Sequence, residues 1–353
     1  MAKIRVLVAE DSLTVRQRLC EVLSADPEIE LVGEAADGKA AIELCRRLRP
    51  DVATIDMIMP VMSGLAATEY IMAHCPTPIL VVSSSFNRGE LFKTFDALAA
   101  GAVDALEKPR GDEPDGVWER RFIAQVKLVA RIRVITHPRL RLARLDRPLA
   151  AAAAATAAGR AAILAIGAST GGPGAILELL HGLPETFRLP ILIVLHINEP
   201  FGTSFTDWLD GQTSRRVTFP QDGDSVAAAS GRVVMAPPGR HLVVRDGRLR
   251  LTHDPERHSC RPSVDLLFES VAREYGRTAA AVLLTGMGRD GAAGLLDIRR
   301  AGGLTIAQDE ASSVVYGMPR EAVALGAAER VLALKEIGPA LGALTAATLE
   351  GRA

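Results

Sequence analysis

The chain has 353 residues, of which 48% are hydrophobic and 24% charged, and its formal net charge is −1 at pH 7. This length is sufficient for two folded cores, and the composition is ordinary for globular proteins. The near-zero charge, with no zinc-finger spacing and no basic recognition helix, argues against a nucleic-acid-binding protein.

The first third of the chain alternates apolar, strand-like runs with amphipathic, helix-like runs. We predict strands over 4–9, 51–55, 79–82 and 102–106, with crossover helices that include 13–23 and 38–48. Such alternation is typical of an α/β domain with a doubly wound parallel sheet. Ligands of these sheets bind outside the carboxyl ends of the strands, at the switch point of the strand order.

Polar side chains stand at the ends of all four predicted strands, namely Glu10, Asp11, Asp56, Ser83 and Lys108. Three carboxylates in one pocket repel each other unless a cation neutralises them, so the set predicts a Mg²⁺ site with ligands from Glu10, Asp11 and Asp56. Asp56 is the candidate nucleophile toward a phosphoryl group, with Lys108 pairing the phosphoryl charge and Ser83 bonding a phosphoryl oxygen. A single strand-end acid is more often a solvated turn residue, but the agreement of four strand ends favours a phosphoryl site.

A change of composition to arginine, proline and alanine predicts a linker over 134–160, between domains at 1–133 and 161–350. Alanine has a high helix propensity, so we expect this linker to be partly helical and stiffer than a Gly/Ser tether. Its basic side chains are either merely solvated or dock an acidic partner.

The second half opens with the sequence GASTGG at 167–172, between an apolar run over 161–166 and a helix-like run over 175–180. A Gly-x-Ser-x-Gly sequence on a strand-to-helix turn exposes its serine, so Ser169 is a candidate nucleophile. Glycine-rich turns also bind phosphates or simply allow a tight bend. The full Gly-x-Gly-x-x-Gly spacing and the lysine of a P-loop are absent.

A serine nucleophile needs a base and a group that orients this base. A buried strand-like run ends at His196, and the loop after the strand-like run 279–285 contains Asp290. If these strands are parallel, Ser169, His196 and Asp290 share one edge of the sheet.

The other histidines are weaker candidates for the base. His241 opens a predicted strand, so we expect it at the opposite end from Ser169. His253 and His258 flank a loop rich in proline and arginine, and either would line a cleft.

Residues 1 to about 130 resemble a response-regulator receiver domain, and residues 161–350 resemble the catalytic domain of the chemotaxis-type protein-glutamate methylesterases, a family that also deamidates glutamine. The second resemblance is carried by ASTGGP at 168–173, PPG at 237–239 with His241-Leu242, RPSVD at 261–265, LTGMGRDG at 284–291 and QDEASSVVYGMP at 308–319.

The resemblance implies two doubly wound α/β domains, a flavodoxin-like receiver and a Rossmann-like methylesterase domain, joined by the linker. It implies a catalytic triad of Ser169, His196 and Asp290. It also implies Met287 as the backbone donor to the oxyanion and Thr170 as a residue that lines the site.

For the receiver, the resemblance implies phosphorylation of Asp56 by a sensor histidine kinase. The implied metal is Mg²⁺, held by Glu10, Asp11, Asp56 and the carbonyl of Ile58, and no cofactor is implied for the esterase chemistry. The implied substrates are glutamate γ-methyl esters, and certain glutamines, on methyl-accepting chemoreceptors. The tandem order also suggests that the unphosphorylated receiver restricts access to the esterase.

Three positions depart from the family pattern. Leu195 precedes the base where the family has glutamine, Ala105 replaces the aromatic residue of receivers, and Ser63 replaces a common aspartate. We expect little effect from Ser63, whereas Ala105 implies that phosphorylation is reported through other groups.

The four cysteines, Cys20, Cys45, Cys75 and Cys260, lack paired spacing, so we interpret them as buried thiols in a reducing compartment. The N-terminal apolar run stops at Glu10, and nothing approaches the ~20 apolar residues of a membrane span. We therefore expect a cytoplasmic protein without membrane insertion.

Two other functions stay open at this point. The chain would also suit a phosphorylation-dependent binding module whose second half grips a partner without useful chemistry. It would equally suit an esterase that acts on another ester in a chemosensory-like pathway.

Overall fold

A computed structural model of the chain describes residues 2–84, 88–109, 116–132, 134, 161–197 and 201–346. The chain divides into two compact units, Met1–Leu149 and Ala150–Ala353. The predicted linker over 134–160 lies, apart from Val134, outside the described residues, so the domain boundaries stay a prediction.

The first unit is a parallel sheet whose strands alternate with helices along the chain. The strands are β1 Ile4–Ala9, β2 Ile29–Ala35, β3 Val52–Ile55, β4 Ile79–Ser83 and β5 Asp104–Glu107. The helices are α1 Leu13–Ser24, α2 Gly38–Leu48, α3 Gly64–His74, α4 Arg88–Ala99 and α5 Val117–Val129. The strand order is β2-β1-β3-β4-β5, which is flavodoxin-like and has its switch point between β1 and β3.

The strand that the sequence pattern missed is β2, which lies at the edge of this sheet. Its residues are buried only at its two ends and are intermediate or exposed between them, unlike the fully buried β3 and β4. A half-exposed edge strand carries no continuous apolar run, so the criterion that found the central strands did not find it.

The second unit contains a seven-stranded parallel sheet among its described residues. Its strands are β6 Ile163–Ala168, β7 Ile191–Leu195, β8 Val217–Thr218, β9 Val233–Met235, β12 Ala279–Leu283, β13 Leu304–Gln308 and β14 Arg330–Leu332, and a separate antiparallel hairpin pairs β10 His241–Arg245 with β11 Arg248–Thr252. The helices are α6 Gly172–Gly182, α7 Phe201–Gln212, α8 Val264–Tyr275, α9 Ala292–Arg300, α10 Met318–Ala324 and α11 Leu334–Ala346, with short 3₁₀ turns at Val226–Ala229 and Gly276–Thr278.

The order of the seven strands is β14-β13-β12-β6-β7-β9-β8. Chain order reverses at β6, which pairs with β7 on one side and with β12 on the other. The switch point therefore lies between β6 and β12. Both units are α/β domains built on parallel sheets, which confirms the predicted fold class.

Helix α8 packs closely against the middle of this sheet. A Cβ atom at Gly167 in β6 would lie 2.2 Å from Cγ1 of Val264, the first residue of α8. The first glycine of the GASTGG sequence thus makes room for a helix from elsewhere in the chain. Because of this close packing, the N-terminus of α8 reaches the carboxyl edge of β6.

Helix starts in both units use side-chain caps. The hydroxyl of Ser63 accepts a hydrogen bond from Ala66 N at 3.3 Å, and Ser263 caps α8 by accepting from Leu266 N at 3.5 Å. Serine is among the favoured N-cap residues, so the serine at position 63 starts α3 without the usual aspartate. Within the described residues, no helix has the length and apolar character needed to cross a membrane.

We expect Gly64→Ala to destabilise the first unit by roughly 1–3 kcal/mol, the usual cost of overpacking a filled site. The new Cβ would lie 1.9 Å from the carbonyl oxygen of Asp56 and would push the end of β3 out of place. Calorimetric unfolding of the full chain measures the effect. Gly211→Ala in α7, where nothing lies within 4 Å, is the control and should not be destabilised; equal unfolding of Gly64→Ala and wild type would contradict the prediction.

Candidate active site and candidate phosphorylation site

The predicted acidic cluster of the first unit forms at the switch point. Glu10 and Asp56 are buried, Asp11 is exposed, and one oxygen from each of the three lies within 4.8 Å of the others. Lys108, after β5, reaches across the strand ends, with its Nζ 2.9 Å from Glu10 Oε2 and 3.0 Å from Asp56 Oδ1.

Burial and mutual repulsion disfavour two charged carboxylates in this pocket. Burial, followed by the charge of Asp56, raises the pKa of Glu10 to about 7 even though Lys108 opposes the shift. Burial also raises the pKa of Asp56 against the opposing effect of Lys108. Burial alone would lower the pKa of Lys108, but the two carboxylates outweigh it and raise that pKa. The pocket is therefore short of positive charge.

The donor set suits a hard divalent cation. The ligands on offer are carboxylate oxygens, which Mg²⁺ prefers. Glu10 Oε2 is buried, and within the described part of the chain its partner is the shared ammonium of Lys108, with no further hydrogen bond. Ile58, whose carbonyl the family resemblance implies as a further ligand, lies two residues beyond Asp56 in the same loop.

The prediction requires a Ser83 hydroxyl that can bond a phosphoryl oxygen, whereas the structure places this hydroxyl against α4. Its hydroxyl, at the end of β4, donates to Glu90 Oε1 at 2.9 Å and accepts from Thr94 Oγ1 at 3.0 Å. Glu90 also accepts hydrogen bonds from the backbone and the hydroxyl of Ser84. Both Ser83 and Glu90 are buried, so in this structure the Ser83 hydroxyl is engaged with α4.

The three predicted residues of the second site lie at neighbouring strand ends. Ser169 follows β6, His196 follows β7, and in register Ala168 stands opposite Leu195. The backbone continues this pairing past the strands, because His196 N donates to Ala168 O and Ser169 N donates to Thr285 O, each at 3.0 Å.

Asp290 is the most strongly held member of the set. Its carboxylate accepts hydrogen bonds from the hydroxyl of Ser263 at 2.8 Å and from the amides of Val264 and Asp265 at 2.7 and 3.1 Å. It thus binds the N-terminus of α8 as an anion would. Burial opposes ionisation, but His196 and these amides outweigh it, so the pKa of Asp290 lies below its usual value.

The fourth partner of this carboxylate is His196, whose Nε2 lies 2.9 Å from Asp290 Oδ2. With Asp290 ionised, the neutral form of the ring has its proton on Nε2 and its lone pair on Nδ1, and the imidazolium carries a proton on both nitrogens. Burial disfavours the imidazolium, but the hydrogen bond to Asp290 and the contact with Cys260 outweigh it and raise the pKa of His196 to about 9.

Ser169 lies on the sharp turn that the sequence predicted. Gly171, the N-cap of α6, has a φ of 77°, and Gly172 N donates to Ser169 O at 2.7 Å. Within the described part of the chain, no hydrogen bond joins the Ser169 hydroxyl to His196. Catalytic hydrogen bonds often tighten only when the substrate binds.

Met287 and Thr170 both lie beside Ser169. A Cβ at Gly286 would lie only 2.8 Å from Ser169 Cβ, so the loop that carries Met287 packs directly on the serine. Among the described residues, the Met287 amide donates no hydrogen bond, while the carbonyl of Thr170 accepts from Thr285 Oγ1 at 3.0 Å.

The sequence analysis missed the residues that hold Asp290 and Thr285. Ser263 belongs to the RPSVD sequence, and Gln308 to the QDEASSVVYGMP sequence, but neither was given a role. Gln308 Oε1 accepts from Thr285 N at 2.8 Å, which fixes the start of the loop that leads to Asp290. A fully buried glutamine at the end of β13 was the available signal.

The expectation for His241 was wrong. His241 begins the separate β10–β11 hairpin and is not part of the parallel sheet, so the rule on strand ends does not apply to it. Its buried ring accepts from Ser263 N at 3.1 Å, which places it two hydrogen bonds from Asp290. His253 and His258 are both exposed, and His258 Nε2 lies 3.1 Å from Asp265 Oδ2.

The expectation that the thiols are buried holds for three of the four cysteines. Cys20, Cys45 and Cys75 are buried in the first unit, but Cys260 is only half-buried, and its Sγ lies 3.7 Å from His196 Nδ1. All four thiols are free.

Comparison with known proteins supports both domain resemblances. A family model described as CheB methylesterase matches residues 164–341, and one described as response regulator receiver domain matches residues 6–114. The protein-glutamate methylesterase/protein-glutamine glutaminase 2 of Anaeromyxobacter dehalogenans is 46% identical over 342 residues, 97% of each chain. The protein of the same name from Pseudomonas aeruginosa is 43% identical over 96% of each chain.

Among solved structures, the CheB methylesterase catalytic domain of Thermotoga maritima is 34% identical; the match covers 52% of this chain and 98% of that one, with a TM-score of 0.49. The family matches place the chain in the class of response regulators whose output domain is an esterase. Within that class, it belongs to the CheB methylesterase family.

We expect the His196 imidazole to titrate near pH 9 in an NMR pH titration of the full chain. Asp290→Asn should bring its pKa down to or below the ordinary 6.5, because burial then acts without the compensating carboxylate. The folded-state pKa is raised, so the stabilisation from this ion pair is complete below pH 6.5 and is lost as the pH rises through about 9. The His196 signal is assigned by its loss in His196→Gln. An unchanged pKa in Asp290→Asn would contradict the pairing.

Proposed function

We propose that this chain is a phosphorylation-regulated protein-glutamate methylesterase. It hydrolyses glutamate γ-methyl esters, and the amides of particular glutamines, on methyl-accepting chemoreceptors. The observation that carries the proposal is the 2.9 Å hydrogen bond between His196 Nε2 and Asp290 Oδ2, formed at the same sheet edge as the serine turn. Its two named relatives have both activities in their names.

In the first half of the reaction, the Ser169 hydroxyl attacks the ester carbonyl. His196 Nδ1, the nitrogen that Asp290 leaves free, takes the serine proton. The carbonyl oxygen becomes an oxyanion, which the Met287 amide stabilises by a hydrogen bond. His196 then gives its proton to the departing methoxide, so methanol leaves and a glutamyl ester of Ser169 remains.

In the second half, His196 removes a proton from water, and the resulting hydroxide attacks the glutamyl–serine ester. The glutamate carboxylate is released, and the proton returns to Ser169. Asp290 stabilises the imidazolium in both halves without being protonated, which its low pKa favours. A primary amide has nearly the same shape as the methyl ester, and ammonia then replaces methanol as the leaving group.

The receiver half supplies the regulation. Asp56 accepts the phosphoryl group from a sensor histidine kinase, and Lys108 pairs with the added negative charge. Glu10, Asp11 and Asp56, with the Ile58 carbonyl, would hold Mg²⁺, which neutralises charge on the pocket and on the phosphoryl oxygens. Ser83 would bond a phosphoryl oxygen after it leaves Glu90.

Phosphorylation adds about two negative charges at Asp56. We infer that this charge shifts the chain from a state with restricted access to the esterase toward an open one. A tenfold change in the open population requires only ~1.4 kcal/mol of differential stability.

The free thiols and the absence of a membrane-spanning helix from the described residues support a cytoplasmic location.

We expect Ser169→Ala to lower methanol release from methylated receptor membranes by roughly 10⁴-fold or more, because the nucleophile is lost. Ser230→Ala is the matched control, since that serine is exposed and its hydroxyl bonds only the Arg188 carbonyl among the described residues. Release by Ser169→Ala at the wild-type rate would contradict the assignment. Absence of release from the wild type would favour a binding module or another ester substrate.

We expect a small phosphodonor with Mg²⁺ to raise methanol release by the wild type about tenfold or more, and not to raise release by Asp56→Asn, because the amide cannot accept the phosphoryl group. Asp51→Asn provides the control at the other end of β3, where an exposed carboxylate accepts from Arg5 N. This variant should respond as the wild type does. An equal response in Asp56→Asn would exclude Asp56 as the phosphorylation site.

A further inference from the structure

The two nitrogens of His196 face different partners. Nε2 is held by Asp290 at 2.9 Å, and Nδ1 lies 3.7 Å from the sulfur of Cys260. Within the described part of the chain, this thiol is the one group that hydrogen-bonds to Nδ1. The proton-accepting nitrogen of the base therefore faces a thiol, which is itself a nucleophile.

Cys260 is held in this position by a tight turn. Backbone hydrogen bonds join Arg257 and Cys260 in both directions, at 2.9 and 3.2 Å. The two residues between them, His258 and Ser259, have φ values of 53° and 59°. The thiol also lies 3.4 Å from the His258 carbonyl, which is a second acceptor for its proton.

The turn that holds Cys260 is also hydrogen-bonded to the residues that bind Asp290. The His258 ring bonds the buried carboxylate of Asp265, whose own amide donates to Asp290. Three residues after the thiol, Ser263 donates to Asp290 as well. Cys260, His196 and Asp290 are thus held in one framework, in the order thiol, imidazole and carboxylate.

Access separates Cys260 from the other thiols. Cys20, Cys45 and Cys75 are buried, whereas Cys260 is half-buried. A dissolved reagent can therefore reach this sulfur more readily than the other three. The contact with Cys260 is also among the causes that raise the pKa of His196.

We propose that Cys260 is a base-activated modification site, at which soft electrophiles react and thereby stop the esterase. His196 Nδ1 takes the thiol proton, and the thiolate attacks the electrophile. With iodoacetamide, the new S–C bond forms as the C–I bond breaks, iodide leaves with the electron pair, and the imidazolium keeps the proton. The adduct then lies against the nitrogen that Ser169 needs.

The first test measures reactivity alone, on the full chain. A free thiol is only a few per cent thiolate at pH 7, so activation by His196 should make iodoacetamide label Cys260 about tenfold or more faster than it labels glutathione. Mass spectrometry of the digested protein follows the adduct. Ser169→Ala should label as fast as the wild type, whereas His196→Gln should label about tenfold more slowly. Equal labelling of His196→Gln and wild type would overturn the proposal.

The second test measures inhibition, which rests on the proposed esterase function. Labelled wild type should lose at least nine-tenths of its methanol release, while Cys260→Ala treated with iodoacetamide should keep the rate it has untreated. Full release from labelled wild type would overturn the inhibitory role. If the untreated wild type releases no methanol, the proposed function fails, and the labelling rates still decide whether the thiol is activated.

Discussion

The second unit depends on one buried carboxylate at the N-terminus of a helix. Asp290 collects donors from the Ser263 hydroxyl, from the first two amides of α8 and from His196. Hydrogen bonds to a charged acceptor contribute about 1.5–3 kcal/mol each, and the positive end of the helix favours the ionised form. The carboxylate therefore stays charged, and its charge fixes both the orientation and the tautomer of the imidazole. Removing it would leave the His196 ring without its orienting partner.

The receiver pocket differs from this site, because its carboxylates have too little positive charge around them. There, Glu10 and Asp56 face each other with one lysine between them, so the pocket favours the arrival of positive charge. The serine that would bond a phosphoryl oxygen is engaged with Glu90 on α4. Any group that recruits Ser83 must therefore release Glu90. This link joins the pocket to α4 without the aromatic residue that Ala105 replaces.

Residues adjacent to central strands could be predicted from the sequence, and residues that act from a distance could not. Buried parallel strands appear as continuous apolar runs, so Ser169, His196 and Asp56 could be located by where those runs end. His241 could not be placed, because the sequence does not reveal that its strand belongs to a separate hairpin. The proximity of Cys260 to the base likewise depends on a turn and on the approach of α8, neither of which has a periodic signal.

The register of the central strands has a consequence for the order of folding. The hydrogen bond from His196 to Asp290 spans 94 residues, and the one from Thr285 to Thr170 spans 115. Contacts of such separation form only after long loops have closed, which is slow compared with local helix formation. A nascent chain that has been synthesised only as far as β7 already carries the serine and the histidine, but it lacks the carboxylate that orients the base. The proposed hydrolytic site is therefore complete only when β12 has been added beside β6 and the loop after it has brought in Asp290.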